Sequence, residues 1–199
     1  VTLSIVVLQL RTIIPASYAF AKMDFKGKNI LFGLILVTMM IPAQLIFLPV
    51  YLMFSKANMI NTYWSLILPW ASSAFGIFLL RQRFMQVPDE IIEAAVLDNT
   101  PTWKIIFKIM LPQARGTVIT IALLNFISTW NDYFWPLVMT SNDNVRTLPL
   151  GVSMLKSTLD GVHWNTVMAG NVILILPIVI IYLFAQREII KAFTYSGIK

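Results

Sequence analysis

Cysteine is absent from all 199 residues, which removes any disulfide framework and any thiolate chemistry. Histidine occurs once, as His163 near the start of the last apolar run, so a His-rich metal site is excluded. No Gly-x-x-x-x-Gly-Lys-Ser/Thr segment is present, so the chain is not itself a P-loop ATPase. Charge is scarce: 12% of residues are Asp, Glu, Lys or Arg, against roughly 25% in soluble domains. The spans hold one acid, Asp132, fewer than an ion-driven transporter should show, and no pair such as two Asp or Ser with His for an intramembrane enzyme. There is no internal repeat to support an inverted-repeat transporter. The chain opens inside an apolar run, without an initiator Met or a signal-peptide pattern, as expected of a fragment or a trimmed start.

What is present is apolar: 58% of residues are hydrophobic, against roughly 45–50% in soluble domains. This composition predicts an all-α polytopic transmembrane bundle, a single domain over residues 1–199. Five spans are expected, at about 1–21, 30–54, 63–80, 116–139 and 167–185. Pro42 and Pro49 should kink the second, with Gln44 free to satisfy released backbone groups. The net charge of +6 does not point to nucleic acid, because the bases sit at span ends rather than on one face. Lys22, Lys26, Lys28, Arg81, Arg83, Lys104, Lys108, Arg115, Arg187, Lys191 and Lys199 fall on one side of the membrane, and Lys56, Arg146 and Lys156 on the other. Eleven bases against three place the first side, with residues 84–115 and the C-terminus, in the cytoplasm.

Residues 87–112 are the longest interval without enough apolar sequence to cross. Pro88 suits a first helical position, and Asp89 and Glu90 favour the positive end of a helix running to about Asp98. Asn99 breaks it, and Thr100 and Pro101 repeat the start signal as N-cap and first turn. Trp103, Ile106, Phe107 and Met110 then recur on one face, and Pro112 helps to end the second helix. Each helix of about 11 residues is ~16 Å long, half of a ~30 Å hydrocarbon core. The pair is either an ordinary interfacial hairpin or a contact for something soluble.

The spacing here carries a family resemblance. Glu93-Ala94-Ala95, three residues, Asn99, nine residues, Ile109, one residue and Leu111-Pro112 resembles the EAA loop of binding-protein-dependent ABC importer permeases. Asn99 stands where that family usually has Gly, and Asn also tolerates a left-handed turn. Tyr18-Ala19-Phe20-Ala21-Lys22, Phe25-Lys26-Gly27-Lys28, Asn61-Thr62-Tyr63, Trp130-Asn131-Asp132, Gln186-Arg187 and Lys191-Ala192-Phe193-Thr194 are similar to the sugar-transporting, maltose-permease-like branch. The resemblance implies the ABC importer permease fold with its first span missing. It also implies a coupling helix, with Glu93, Ala94, Ala95, Asp98, Asn99, Ile109, Leu111 and Pro112 docking on a cytoplasmic ATPase. The small Ala94 and Ala95 would let that partner approach the backbone. Implied partners are a second permease subunit in a heterodimer, two ATPase subunits, an extracytoplasmic solute-binding protein, a sugar and the surrounding lipid. No cofactor is expected in this chain, since ATP and Mg belong to the ATPase subunits.

Asn125, Ser128, Thr129 and Asp132 recur at i, i+3, i+4, i+7 in the fourth span. Either they hydrogen-bond a neighbouring helix, or they line a path for a hydroxyl-rich solute. Arg11, mid-span, needs a partner or water, and Asp132 is one candidate. With a phosphate ester such as glycerol phosphate, Arg11 would be the anion contact. Trp130, Tyr133, Phe134 and Trp135 read as an interfacial belt or a sugar-stacking surface. Residues 147–155 read as a short amphipathic helix on the membrane, which the resemblance makes a possible contact for the binding protein. A reporter fused after Lys108 should report cytoplasm, and one fused after Asn144 the exterior. The reverse pattern would overturn the charge argument.

Overall fold

A computed structural model describes residues 1–156 and 163–194, and every element among them is helical. The helices are α1 (Thr2–Lys22), α2 (Lys28–Thr38), α3 (Ala43–Lys56), α4 (Tyr63–Ile67), α5 (Ala74–Met85), α6 (Asp89–Leu97), α7 (Thr102–Lys104), α8 (Leu111–Gln113), α9 (Arg115–Trp130), α10 (Phe134–Met139), α11 (Leu148–Met154) and α12 (Trp164–Thr194). Three stretches are long and apolar enough to cross a bilayer: Thr2–Lys22, Tyr63–Met85 and Trp164–Gln186. The bent pairs α2 with α3 (98°) and Thr102–Gln113 with α9 (84°) bring the number to five if each is one span. Residues 157–162 of the outer loop and 195–199 of the tail, including Lys199, lie outside the described residues, as do the side chains of Arg187 and Lys191.

Several boundaries differ from the expected spans. The second span is two helices, broken at Pro42, which stands just before α3; Pro49 sits inside α3. The third span is interrupted by a 3-10 turn at Leu68–Trp70 and runs on to Met85, so Arg81 and Arg83 are helical rather than past the end. The fourth helix stops at Trp130, and Phe134–Met139 forms a separate helix.

The break in the third span shows how a bilayer fold keeps its polar backbone satisfied. Pro69 has no N–H to give to the Ser65 carbonyl one turn earlier. The buried Trp135 indole donates to that carbonyl instead, at 2.9 Å. The next carbonyls are taken by α1: Gln9 Nε2 donates to Trp70 O at 2.7 Å and Thr12 Oγ1 to Ala71 O at 2.9 Å. Ser73 then caps α5, accepting from Gly76 N at 3.2 Å. A Cβ at Gly76 would lie 2.5 Å from Ile13 Cδ1, so the glycine sets how closely α5 approaches α1. Below this contact Ile13, Ile14, Tyr18, Leu80, Phe84, Met110 and Ile121 form the main core.

Gln9 is buried, and its Oε1 accepts from Asn125 Nδ2 of α9. One amide thus joins α1, the broken span and α9. Replacing Asn125 by Leu should lower the thermal stability of the purified protein by about 0.6–2 kcal/mol. Gln9→Leu should cost more, because it also frees the Trp70 carbonyl. In a double-mutant cycle the pair should be non-additive; additive losses would show that the amides do not interact.

Candidate coupling surface and solute path

At one end of the bundle, residues 84–115 fold as a hairpin held against α1 and α5. Pro88 and Pro101 each occupy the position before the first helical residue, so neither Pro88 at the first position nor Thr100 as cap is realised. Proline's fixed φ and lack of an N–H suit that junction as well. Asn99 turns the chain at φ 53°, in the left-handed region expected of it. Residues Ile105–Met110 are π-helical, which shifts the face the periodicity predicted. Ile105, Ile106 and Met110 are buried, while Trp103 and Phe107 are more than half exposed. Pro112 does not end this helix, which continues to Gln113 and bends at Ala114.

Glu93, Ala94, Asp98, Asn99 and Pro112 are exposed, and Ile109 and Leu111 are partly buried against the core. Ala95 departs from expectation. It is 7% exposed and packs into the core with Ile105 and Met110, so its small size admits the bundle rather than a partner. Ala94 is the small residue open to approach. Beside it Leu97 is 83% and Val96 58% exposed, leaving a short apolar face at the bundle end.

At the opposite end, Asn61 (φ 60°) accepts from Ser141 N at 2.5 Å and Asn142 N at 3.2 Å, and Tyr63 donates to Asn144 O at 2.9 Å. These bonds stitch the turn before α4 to the loop after α10. A cavity of about 360 Å³ lies here, lined among others by Thr2, Tyr63, Thr129, Trp130, Asp132 and Thr147.

The expected polar stripe divides. Asn125 is committed to Gln9, and Ser128 and Thr129 donate to the Asn125 carbonyl at 3.2 and 2.8 Å. Asp132 lies beyond the end of α9 and accepts from Trp135 N at 3.3 Å, opening α10. Only Thr129 and Asp132 of the four reach the cavity. Among the described residues no ion pair joins Arg11 to Asp132: Arg11 is exposed in the middle of α1, and Asp132 shares the cavity wall with the first residues of that helix.

The aromatic cluster also divides. Trp135 is buried, edge-on to Phe47 and Trp70, and the Trp130 indole donates to Leu174 O at 2.9 Å; Tyr133 and Phe134 stay exposed. The expected helix forms at Leu148–Met154 and buries one face against the bundle, with Leu148 and Met154 exposed on the other. Leu150 and Val152 are buried, and Val152 meets Gly170 of α12. Sequence reasoning missed Thr147, whose hydroxyl oxygen is buried in the cavity wall without a hydrogen-bond partner among the described residues. It also gave no role to Gln9, whose only signal was an amide inside a span.

Comparison with known proteins matches residues 13–194 to the family described as the binding-protein-dependent transport system inner membrane component. The chain is 36% identical over its full length to the arabinooligosaccharides transport system permease protein AraQ of Halalkalibacterium halodurans, covering 71% of that protein. It is 33% identical over 91% of its length to the sn-glycerol-3-phosphate transport system permease protein UgpE of Yersinia enterocolitica, covering 65% of it. Thus it spans about two thirds of the length of these curated relatives. A crystal structure of a bacterial ABC transporter involved in the import of the acidic polysaccharide alginate contains a chain that superposes with a TM-score of 0.78 at 28% identity, over 94% of this chain and 70% of that one. With the family matched over nearly its whole length, the chain belongs to the inner-membrane permease components of binding-protein-dependent ABC importers.

Proposed function

We propose that the chain supplies half of the translocation path of an importer for a sugar or oligosaccharide, and couples it to ATP hydrolysis through residues 84–115. The observation that carries this reading is the exposed face of α6. Glu93, Ala94, Val96 and Leu97 stand open on a helix too short to span, at the end of the bundle opposite the cavity. A soluble ATPase subunit on the cytoplasmic side covers that face. The coupling loop and the C-terminus are cytoplasmic, and the cavity faces the extracytoplasmic binding protein. A second permease subunit, in a heterodimer, completes the path, and two ATPase subunits bind ATP and Mg.

Charge favours a sugar over a phosphate ester. The cavity's carboxylate, Asp132, repels an anion, and Arg146 in its wall is already paired with Asp143 at 2.5 Å. Indoles, hydroxyls and one carboxylate suit a hydroxyl-rich solute. The glycerol-phosphate alternative rests on similarity to UgpE and on Arg11, exposed at mid-span and outside the cavity wall.

Uptake by the reconstituted complex, measured with arabinotriose, maltotriose and glycerol 3-phosphate, tests the reading. Asp132→Leu removes a charged hydrogen-bond acceptor worth about 1.5–3 kcal/mol, so sugar uptake should fall about tenfold or more at normal assembly. Glu93→Lys and Ala94→Trp should abolish solute-stimulated ATP hydrolysis, by charge reversal and by holding the surfaces apart. Normal stimulation in both variants would reduce the loop to an interfacial hairpin. Uptake of glycerol 3-phosphate alone would replace the sugar.

A further inference from the structure

The hairpin at residues 84–115 is fastened at both ends. Lys22, the last residue of α1, has a side chain only 6% exposed. Its ammonium donates to Val87 O at 2.6 Å and to Asp89 Oδ1 at 2.5 Å, holding the residues on either side of Pro88 where α6 begins. At the other end, Arg83 of α5 donates to Gln113 O from Nε at 3.2 Å and from Nη2 at 3.0 Å, just before the bend into α9. Because Lys22 is largely shielded from water, its pairing with Asp89 is screened less than an open surface pair.

α1 reaches from this hairpin to the outer cavity as one continuous helix, with Pro15 inside it. Its 21 residues span ~31 Å at 1.5 Å per residue. Lys22 grips the start of α6 at one end. Gln9 and Thr12 hold the broken third span and Asn125 in the middle. Thr2, Leu3 and Ile5 line the cavity at the other end. The neighbouring α4–α5 span is interrupted at Leu68–Trp70, and α9 meets the hairpin through an 84° bend, so neither runs from one end to the other as a single continuous helix.

We propose that Lys22 is a positioning residue for transport, clamping α6 to α1 so that α1 acts as the lever carrying movement of the coupling hairpin to the cavity. The inference rests on the reading of residues 84–115 as the coupling loop. Spatial continuity alone does not establish energetic coupling, so the test needs a reporter at the far end.

The absence of cysteine from this chain supplies one. Thr129→Cys places a single thiol in the cavity wall, and its labelling by a water-soluble maleimide is followed on this subunit. The full complex, with both permease subunits, the ATPase and the binding protein, is compared at rest and after trapping with ATP, magnesium and vanadate. With native Lys22 the labelling rate should change about tenfold between the two states, and Lys22→Arg should preserve that change. With Lys22→Met or Asp89→Lys the change should fall below about twofold, while ATPase co-purification and basal hydrolysis stay normal. Should Lys22→Met fail to assemble, Asp89→Lys decides the matter, since that carboxylate is 75% exposed and its replacement does not touch the core. A full change in the Asp89→Lys complex would make Lys22 a mere staple and overturn the proposal. Loss of ATPase binding in Asp89→Lys would overturn it too, by making the pair a docking contact. An Ala94→Trp arm separates the two readings. A reporter that responds normally there removes the coupling loop itself, whereas loss there with a full response in the Lys22 and Asp89 variants removes only the lever.

Discussion

Backbone carbonyls released inside the membrane have to be satisfied by protein, and the arrangement of this bundle follows from where they are released. Pro69 interrupts the third span, and three successive needs arise within one turn of it. Trp135 takes the Ser65 carbonyl, Gln9 the Trp70 carbonyl and Thr12 the Ala71 carbonyl. Each donor comes from a different stretch of chain or a different turn of α1, so one break fixes α1, α10 and the third span together. Further along α1, Ser17 Oγ donates to Ile77 O at 3.1 Å, continuing the same side of contact toward the hairpin. Gly76 lets these helices come close enough for such bonds to form.

That demand explains what was legible in the sequence and what was not. Five apolar runs and their basic flanks are local properties, so the bundle and the place of the hairpin could be read directly. The turn at Asn99 was also local, set by a residue that tolerates positive φ. The π-helical turns of Ile105–Met110 were not, because a 3.6-residue period was assumed where the chain winds more loosely. The shift exposes Phe107, and the buried set becomes Ile105, Ile106 and Met110.

Tertiary partners were least visible. The spacing of Asn125, Ser128, Thr129 and Asp132 suited one polar stripe, but helix α9 ends at Trp130 and the four residues serve three purposes. Nothing in the sequence around Asn125 pointed to Gln9, over a hundred positions earlier, as its partner. Likewise, Ala94 and Ala95 are identical as residues. Only packing distinguishes the one that faces the core from the one that faces outward.

Two sets of polar side chains differ in how far their hydrogen bonds are complete. Gln9, Thr12 and Ser17 bind backbone or amide groups on neighbouring helices, and those bonds hold the bundle together. Among the described residues the Thr147 hydroxyl has no hydrogen-bond partner, and Asp132 accepts backbone bonds from Trp135 and Phe134 with a carboxylate able to take about four. Both belong to the cavity wall. A buried polar group without a full set of partners is costly to keep unless something polar visits it. Capacity left over at Thr147 and Asp132, and taken up at Gln9, Thr12 and Ser17, is the distribution expected where one helix holds its neighbours and the space at its end receives a solute.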